Sequence, residues 1–209
     1  KYNFRAPHRG DPNVAWNWWS DIEQGGGALG AINSHVIDSF QWLIGTLVSS
    51  VYCQLQTHVQ QRKDASGEMR QVTTDDEANM LLRFGDSEVA ADATGLVSMT
   101  EGPNYTNRLE LFGTDGAMRI DHRGEVFTAG LGLSEWKQVE TDLGSAIDGV
   151  PDTGFSRGFM QFAPRIVEAI RDGQTSIEHA ATFADGLSVQ KVLDAARQSN
   201  AIGQAVSLS

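Results

Sequence analysis

The chain has 209 residues, 40% of them hydrophobic and 21% charged, which is typical of a globular protein and excludes a disordered or fibrous one. Its net charge of −11 argues against binding to a nucleic-acid backbone or to an anionic membrane surface. The single cysteine excludes an internal disulfide framework and a cysteine-rich zinc site, so we expect a reducing compartment, the cytoplasm.

The first part of the chain predicts ordered but irregular structure. Residues 1–5 alternate as a strand does, and because the chain begins with Lys rather than Met, we expect that an upstream part is missing. Residues 7–27 are rich in Pro, Gly, Asp and Trp, which predicts a long irregular segment pinned by Trp16, Trp18 and Trp19. Such a segment is either functional or a flap that its aromatic rings simply anchor, and the sequence leaves both open.

A helix and then a run of strands follow. Apolar residues at intervals of three and four predict a helix over 28–45. Alternating patterns predict strands at 48–59, 77–84, 88–97, 108–112, 117–121, 126–129 and 136–140. Gly85-Asp86 is typical of a hairpin turn, and residues 62–67 predict a polar turn.

The end of the chain predicts helices again. One is expected from about residue 153 to 172, starting or bending near Pro164, and the next from about 178 to 200, before an edge strand at 205–208. Strands and helices are thus segregated. This order predicts an α+β fold, a single domain over 1–209 with an open, mostly antiparallel sheet and helices packed on one face. The uncovered face of such a sheet predicts a homo-oligomer.

A glycine-rich run precedes the first predicted helix. Residues 25–30, GGGALG, have the spacing G-x-G-x-x-G, but no apolar strand comes before them and residues 45–50 hold no acid. We therefore reject a dinucleotide-binding loop, and no residue of this chain is assigned to a cofactor. The run predicts either a backbone with unusual dihedral angles before a helix or a close approach to a ligand.

His35 and Asp38 are candidates for chemistry because they share one stripe of the predicted helix. A carboxylate one turn away can fix the tautomer of an imidazole and raise its basicity, as general acid–base catalysis requires. The same spacing fits a core histidine that Asp38 satisfies, and spacing alone leaves both interpretations open.

Other reactive residues are assigned no chemistry. The remaining histidines lack the spacing of a metal site, so no metal is expected; they are His8, His58, His122 and His179. Cys53 is expected to be a small core residue rather than a nucleophile. Asp75-Asp76-Glu77 is interpreted as the solvated start of a strand.

Three segments resemble the second domain of the Gfo/Idh/MocA oxidoreductases. Residues 25–29 (GGGAL), 34–38 (SHVID) and 42–43 (WL) resemble the family segment GGGxLxDxGxHxxD. Residues 109–116 (LELFGTDG) resemble a strand-and-turn segment, and residues 183–208 resemble the last helix and strand. The resemblance covers most of the chain and keeps the family's order.

This resemblance implies a fold like the C-terminal domains of dihydrodipicolinate reductase and glyceraldehyde-phosphate dehydrogenase. It implies the substrate-binding half of an NAD- or NADP-dependent oxidoreductase that acts on a sugar, inositol or related polyol. Family members bind the cofactor mainly through an N-terminal Rossmann domain, which this chain does not contain, so the chain alone is expected to be inactive. A relative that cleaves glycosides with the help of nicotinamide, or a non-catalytic binding and oligomerisation module, remains an alternative.

The resemblance also implies roles for individual residues. His35 matches the family histidine, which would take the hydroxyl proton while hydride leaves for nicotinamide, and Asp38 would orient its ring. The family aspartate falls at Ala31, which cannot relay a proton, and a family glycine falls at Asn33. Expected substrate contacts are Asn33, Arg9, Trp16 and Trp18, although a packed flap would explain the last three equally well.

Overall fold

The computed structural model describes residues 1–85, 91–103 and 105–208. Asp86 of the predicted hairpin turn, and the first three residues of the strand predicted over 88–97, lie outside the described residues. The described chain forms two compact units, the first made of Lys1–Thr106 and Phe183–Ser209 and the second of Asn107–Thr182.

The elements follow the predicted order of helix, strands and helices. The strands are β1 (Tyr2–Arg5), β2 (Val48–Gln56), β3 (Gln61–Lys63), β4 (Met69–Gln71), β5 (Glu77–Phe84), β6 (Ala91–Ser98), β7 (Thr106–Phe112), β8 (Gly116–Ile120), β9 (Val126–Gly130), β10 (Lys137–Val139) and β11 (Val206–Ser207). The helices are α1 (Ser34–Ile44), α2 (Gly154–Arg171) and α3 (Phe183–Ile202). No helix of the described ranges is long and apolar enough to cross a membrane.

The sheet of the first unit runs in the order β1-β6-β5-β2-β11. β5 pairs antiparallel with β2 and β6, and β11 pairs antiparallel with β2. β1 is parallel to β6, which the sequence did not predict. α3 packs along β2 and α1 reaches β6, so the α+β prediction of a mostly antiparallel sheet with helices on one face is confirmed.

Alternation along the strands places the core between this sheet and its helices. In β5 the side chains of Ala78, Met80, Leu82 and Phe84 are buried toward the helices. Phe40 of α1 is fully buried and meets the ring of Phe84 edge-on, with 6.2 Å between ring centroids. Cys53 is also buried, as predicted, and burial raises the pKa of its thiol to about 12.

A short hairpin differs from the prediction. The strand expected to reach residue 59 ends at Gln56, and β3 then pairs antiparallel with β4. The polar turn predicted over 62–67 is right for residues 64–67, and Asp64 accepts there from the amides of Ser66 and Glu68. It is wrong for Arg62, which lies in β3 and is 1% exposed.

In the second unit, β7 to β10 form an antiparallel meander in chain order. α2 begins at Gly154, where Thr153 caps it by accepting from the amide of Ser156. The helix continues past Pro164 to Arg171, so Pro164 does not mark its start. α3 of the first unit begins at Phe183, later than the predicted position near 178.

Candidate functional site

Each glycine of the run before α1 is needed for a different reason. Gly25 has a φ of +75° and ends a short 3₁₀ turn, Ile22–Gln24. A Cβ on Gly26 would lie 2.3 Å from the carbonyl oxygen of Trp19. Gly27 has a φ of +96°, and a Cβ there would lie 2.6 Å from Oδ1 of Asp75. The predicted dihedral angles are confirmed, and the close approach is to the chain's own backbone and side chains.

Asp75 binds the start of the helical segment that leads into α1. Its Oδ2 accepts from the amide of Leu29 at 2.6 Å, and its main-chain oxygen accepts from the amide of Ala28 at 3.0 Å. Burial raises the pKa of this carboxyl to about 6, against the opposing effects of the Leu29 amide and the charge of Arg197. Asp75 therefore accepts hydrogen bonds from two amides at the start of the helical segment, where no preceding turn offers a carbonyl oxygen.

The interpretation of Asp75-Asp76-Glu77 as a solvated strand start is wrong for its first two residues. Asp76 is 5% exposed, and its carboxylate accepts from the amides of His58 and Val59. Main-chain amides and burial, rather than water, surround these acids because the segment lies between β4 and β5 under the glycine run.

His35 lies on the outer side of the helix. The chain passes from Ala28 through a π-helical turn, Leu29–Asn33, into α1. Val36, Ile37 and Phe40 of α1 are fully buried, whereas the side chain of His35 is exposed. The alternative of a core histidine is therefore wrong, and His35 is accessible to a ligand.

Asp38 lies near enough to His35 for the two side chains to interact electrostatically. Partial burial raises the pKa of Asp38, the nearby carboxylate of Asp185 on α3 raises it further, and His35 opposes both effects. The two helices are tied at this point by Gln41, whose Nε2 donates to Oγ of Ser188 at 2.9 Å. The structure thus brings His35 and Asp38 together, with Asp185 as a neighbour that the sequence did not indicate.

The tryptophans of the irregular segment differ in their surroundings. Nε1 of Trp16 donates to the main-chain oxygen of Gln71 at 3.0 Å, and the guanidinium of Arg70 lies 3.8 Å from its ring centroid. Trp18 is 50% exposed, and its ring packs against Trp19 with 5.6 Å between centroids. Trp16 is therefore an anchor, whereas Trp18 presents a free aromatic surface.

Two of the predicted substrate contacts lie inside the protein. Arg9 is 5% exposed, and its Nη2 donates to Oγ of Ser20 at 2.9 Å. Burial and the charge of Arg62 lower the pKa of Arg9 to about 10. Asn33 is fully buried, and its Nδ2 donates to the main-chain oxygen of Ala78 at 3.2 Å. Neither side chain offers a surface to a sugar, so neither is carried into the proposed site.

The described residues contain no group of three His, Cys, Asp or Glu side chains arranged to hold a metal ion. The glycine run also does not fit the pyrophosphate of a dinucleotide. The amides of Gly25, Gly26, Ala28 and Leu29 already donate to oxygens of Ile22, Asp21 and Asp75, so they are not available to a phosphate group.

Comparison with known proteins identifies the class. Residues 2–119 match the model of the GFO/IDH/MocA C-terminal domain. The match covers more than half of the chain, so the chain belongs to this family of oxidoreductases. The resemblance noted from residues 25–43 is thereby confirmed.

Individual relatives add detail. The chain is 28% identical to glucose-fructose oxidoreductase domain-containing protein 2 of Xenopus tropicalis over 90% of this chain and 51% of the relative. It is 32% identical to levoglucosan dehydrogenase of Pseudarthrobacter phenanthrenivorans over 54% of this chain and 32% of the relative. A solved levoglucosan dehydrogenase in complex with NADH and L-sorbose superposes with a TM-score of 0.80 at 25% identity, over 100% of this chain and 57% of that one. The chain thus spans about half the length of the relatives that it matches throughout.

Proposed function

We propose that this chain is the substrate-binding half of an NAD- or NADP-dependent oxidoreductase that acts on a sugar, an inositol or a related polyol. The observation that carries the proposal is the exposed imidazole of His35, beside the half-buried carboxyl of Asp38 on a helix with a fixed start. The likeness to levoglucosan dehydrogenase supports a sugar as substrate. NAD or NADP would be held mainly by an N-terminal Rossmann domain, as the family resemblance implies.

The residues of this chain would contribute proton transfer and binding. A neutral imidazole at His35 accepts the proton of a substrate hydroxyl at one ring nitrogen. Asp38, one turn further along α1, keeps the ring oriented and favours the imidazolium that forms. Trp18 offers its exposed ring to the apolar face of a sugar. Ala31 supplies no carboxylate, so His35 works without an acid from the preceding turn.

The test uses the natural protein over its whole length. Reduction of NAD and NADP is followed against a panel of sugars, inositols and polyols that includes levoglucosan, with His35→Ala beside the unmodified protein. General acid–base residues contribute about 10²–10⁴-fold, so kcat/KM should fall by about that factor. His58→Ala is the matched control, because His58 is an exposed histidine of the same unit that pairs with Glu77 at 2.9 Å. Turnover that survives in the His35 variant would contradict the assignment.

Ala31, which stands at the position of the family aspartate, leaves room for a second candidate, a relative that cleaves glycosides with the help of nicotinamide. In that case the protein would bind nicotinamide tightly and release an aglycone from a glycoside with no net reduction of the cofactor. A protein that does neither, and whose ligand binding is unchanged in His35→Ala, would instead be a non-catalytic module.

We also propose that the protein is a homo-oligomer assembled through the open face of the first unit's sheet. Leu81 and Leu96 on this face are 54% and 40% exposed. Leu81 lies two residues from Arg83 in β5, and Arg83 forms an ion pair with Asp92 in which Nε is 3.3 Å from Oδ1. A second copy would cover these leucines and place charged pairs at the rim, as stable interfaces do.

A further inference from the structure

One short segment of the first unit, Thr73–Asp75, carries both parts of the candidate site. We call it the anchor segment. The amide of Thr73 donates to the main-chain oxygen of Ser20 at 3.0 Å, and Oγ1 of Thr73 accepts from the amide of Ile22 at 3.0 Å. Oγ1 of Thr74 donates to the main-chain oxygen of Trp19 at 2.8 Å. The turn that presents Trp18 is therefore fixed by these two threonines.

The third residue of the anchor segment fixes the helix that carries His35. Asp75 accepts from the amides of Ala28 and Leu29 with its main-chain and carboxylate oxygens. His35 lies six residues further along the same helical segment, which is π-helical over Leu29–Asn33 and α-helical from Ser34. A helical segment moves as a unit, so a displacement at Leu29 is transmitted to the imidazole.

We propose that Asp75 is the positioning residue of this site, which keeps His35 in a fixed place relative to Trp18. The proposal rests on the proposed function, because it assigns a purpose to the geometry of the same residues. Asp75 acts through Leu29 and the helix and is not itself placed in contact with the substrate.

Neighbouring charges and burial determine whether the carboxyl of Asp75 is ionised. Arg197 of α3 favours the ionised form, while the neighbouring Asp76 and burial disfavour it. Burial and the charge of Asp75 raise the pKa of the Cys53 thiol in β2, so this neighbour stays neutral. Loss of the negative charge in mildly acidic solution therefore weakens the bond to the Leu29 amide, since hydrogen bonds to charged acceptors are stronger than those to neutral ones.

The first test measures the helix start directly, by amide hydrogen exchange of the natural full-length protein. Peptides over residues 27–35 report on the helix start, and peptides over 77–84 of β5 report on global stability. Asp75→Ala removes the acceptor and should speed exchange in 27–35 by about tenfold or more, with little change in β5. Asp75→Asn keeps an acceptor oxygen and should stay within about threefold of the unmodified protein. Glu68→Gln, at an exposed residue of the turn between β3 and β4, is the control and should change neither peptide.

The second test separates positioning from folding. Asp75→Ala should lower kcat with KM changed little, because the imidazole is misplaced while the binding surface persists, and Asp75→Asn should restore kcat. Unchanged exchange in 27–35 of Asp75→Ala would overturn the proposal, even in an active enzyme. Equal acceleration in 27–35 and in β5 would also overturn it, because Asp75 would then only stabilise the fold. Faster exchange confined to 27–35 in a protein that turns over no sugar would support the anchoring and contradict the proposed function alone.

Discussion

The guanidinium of Arg62 donates through Nη2 to the main-chain oxygen of Arg9, so one buried arginine holds the segment in which the other lies. Its Nη1 also donates to the oxygens of Asp11 at 2.6 Å and Val14 at 3.2 Å. Three carbonyl groups of an irregular segment thus share one cation. This arrangement satisfies backbone groups that no strand or helix pairs.

Replacing Arg62 should destabilise the protein strongly. Arg62→Ala leaves three carbonyl oxygens without their donor and a cavity in place of a fully buried side chain, so we expect a loss of about 3 kcal/mol in the free energy of unfolding. Urea denaturation measures it. Lys63→Ala, at an exposed side chain of the same strand, is the control and should cost less than about 1 kcal/mol. Equal losses in the two variants would show that the contacts of Arg62 contribute nothing specific.

Asp75 should make stability depend on pH in an uncommon direction. Its pKa in the folded protein is about 6, above the ordinary value of 3.8, so the folded state holds its proton more tightly than the unfolded state. The contribution of this carboxyl to the free energy of unfolding therefore falls as the pH rises from 3.8 to 6, by about 3 kcal/mol at most. An asparagine at position 75 does not titrate. The free energy of unfolding of Asp75→Asn, relative to that of the unmodified protein, should therefore increase from pH 4 to pH 7. Urea denaturation at both pH values measures this difference, and a difference that is the same at both would contradict the assignment.

His58 should contribute a trend in the same direction, at higher pH, and has to be separated from Asp75. Its hydrogen bond to Glu77 raises its pKa in the folded state, so its contribution is present below the ordinary value of 6.5 and is lost as the pH rises through the raised pKa. Because this side chain is largely exposed, the effect is small. Combining Asp75→Asn with His58→Ala should leave the pH difference due to Asp75 unchanged.

Trp16 and Trp18 should respond differently to the same substitution. Trp18→Ala removes a half-exposed ring and should raise KM for a sugar about three- to tenfold, with stability changed by less than about 1 kcal/mol. Trp16→Ala removes a ring bonded to Gln71 and stacked on Arg70, and should cost about 2 kcal/mol of stability. Substrate kinetics and urea denaturation of both variants provide the comparison. A stability loss at Trp18 with KM unchanged would place that ring in the packing instead.

The open sheet face should control the oligomeric state. Leu81→Glu places a charge at the centre of the proposed interface and should convert the oligomer to a monomer in light scattering after gel filtration. Leu131→Glu, at a residue of the second unit that is 75% exposed, is the matched control. An unmodified protein that is already monomeric, or an oligomer that survives in Leu81→Glu, would exclude this face.

Local patterns were sufficient to predict the elements that they define. The helix over 28–45 followed from apolar spacing, and the glycine run and His35 led to the correct family. Asn33 was misplaced, although Val36 and Ile37 follow it by three and four residues. The same stripe that predicted the helix would have assigned Asn33 to its buried side.

The contacts of Asp75 and Arg62 could not be predicted in the same way. Asp75 binds the amide of Leu29 across 46 positions, and Arg62 binds the oxygen of Asp11 across 51. No periodicity links such distant residues, and charged side chains beside turns are usually solvated. The backbone groups that stabilise these two charged side chains come near them only in the folded chain.

The glycine run has a consequence for how freely this sequence can vary. Gly25 is surrounded by open space and is required only for its left-handed conformation, which asparagine and aspartate tolerate. Gly26 is required for its lack of volume, since every other residue carries a Cβ that would meet Trp19. In a randomised library selected for folding, position 25 should therefore accept asparagine, whereas position 26 should return as glycine alone.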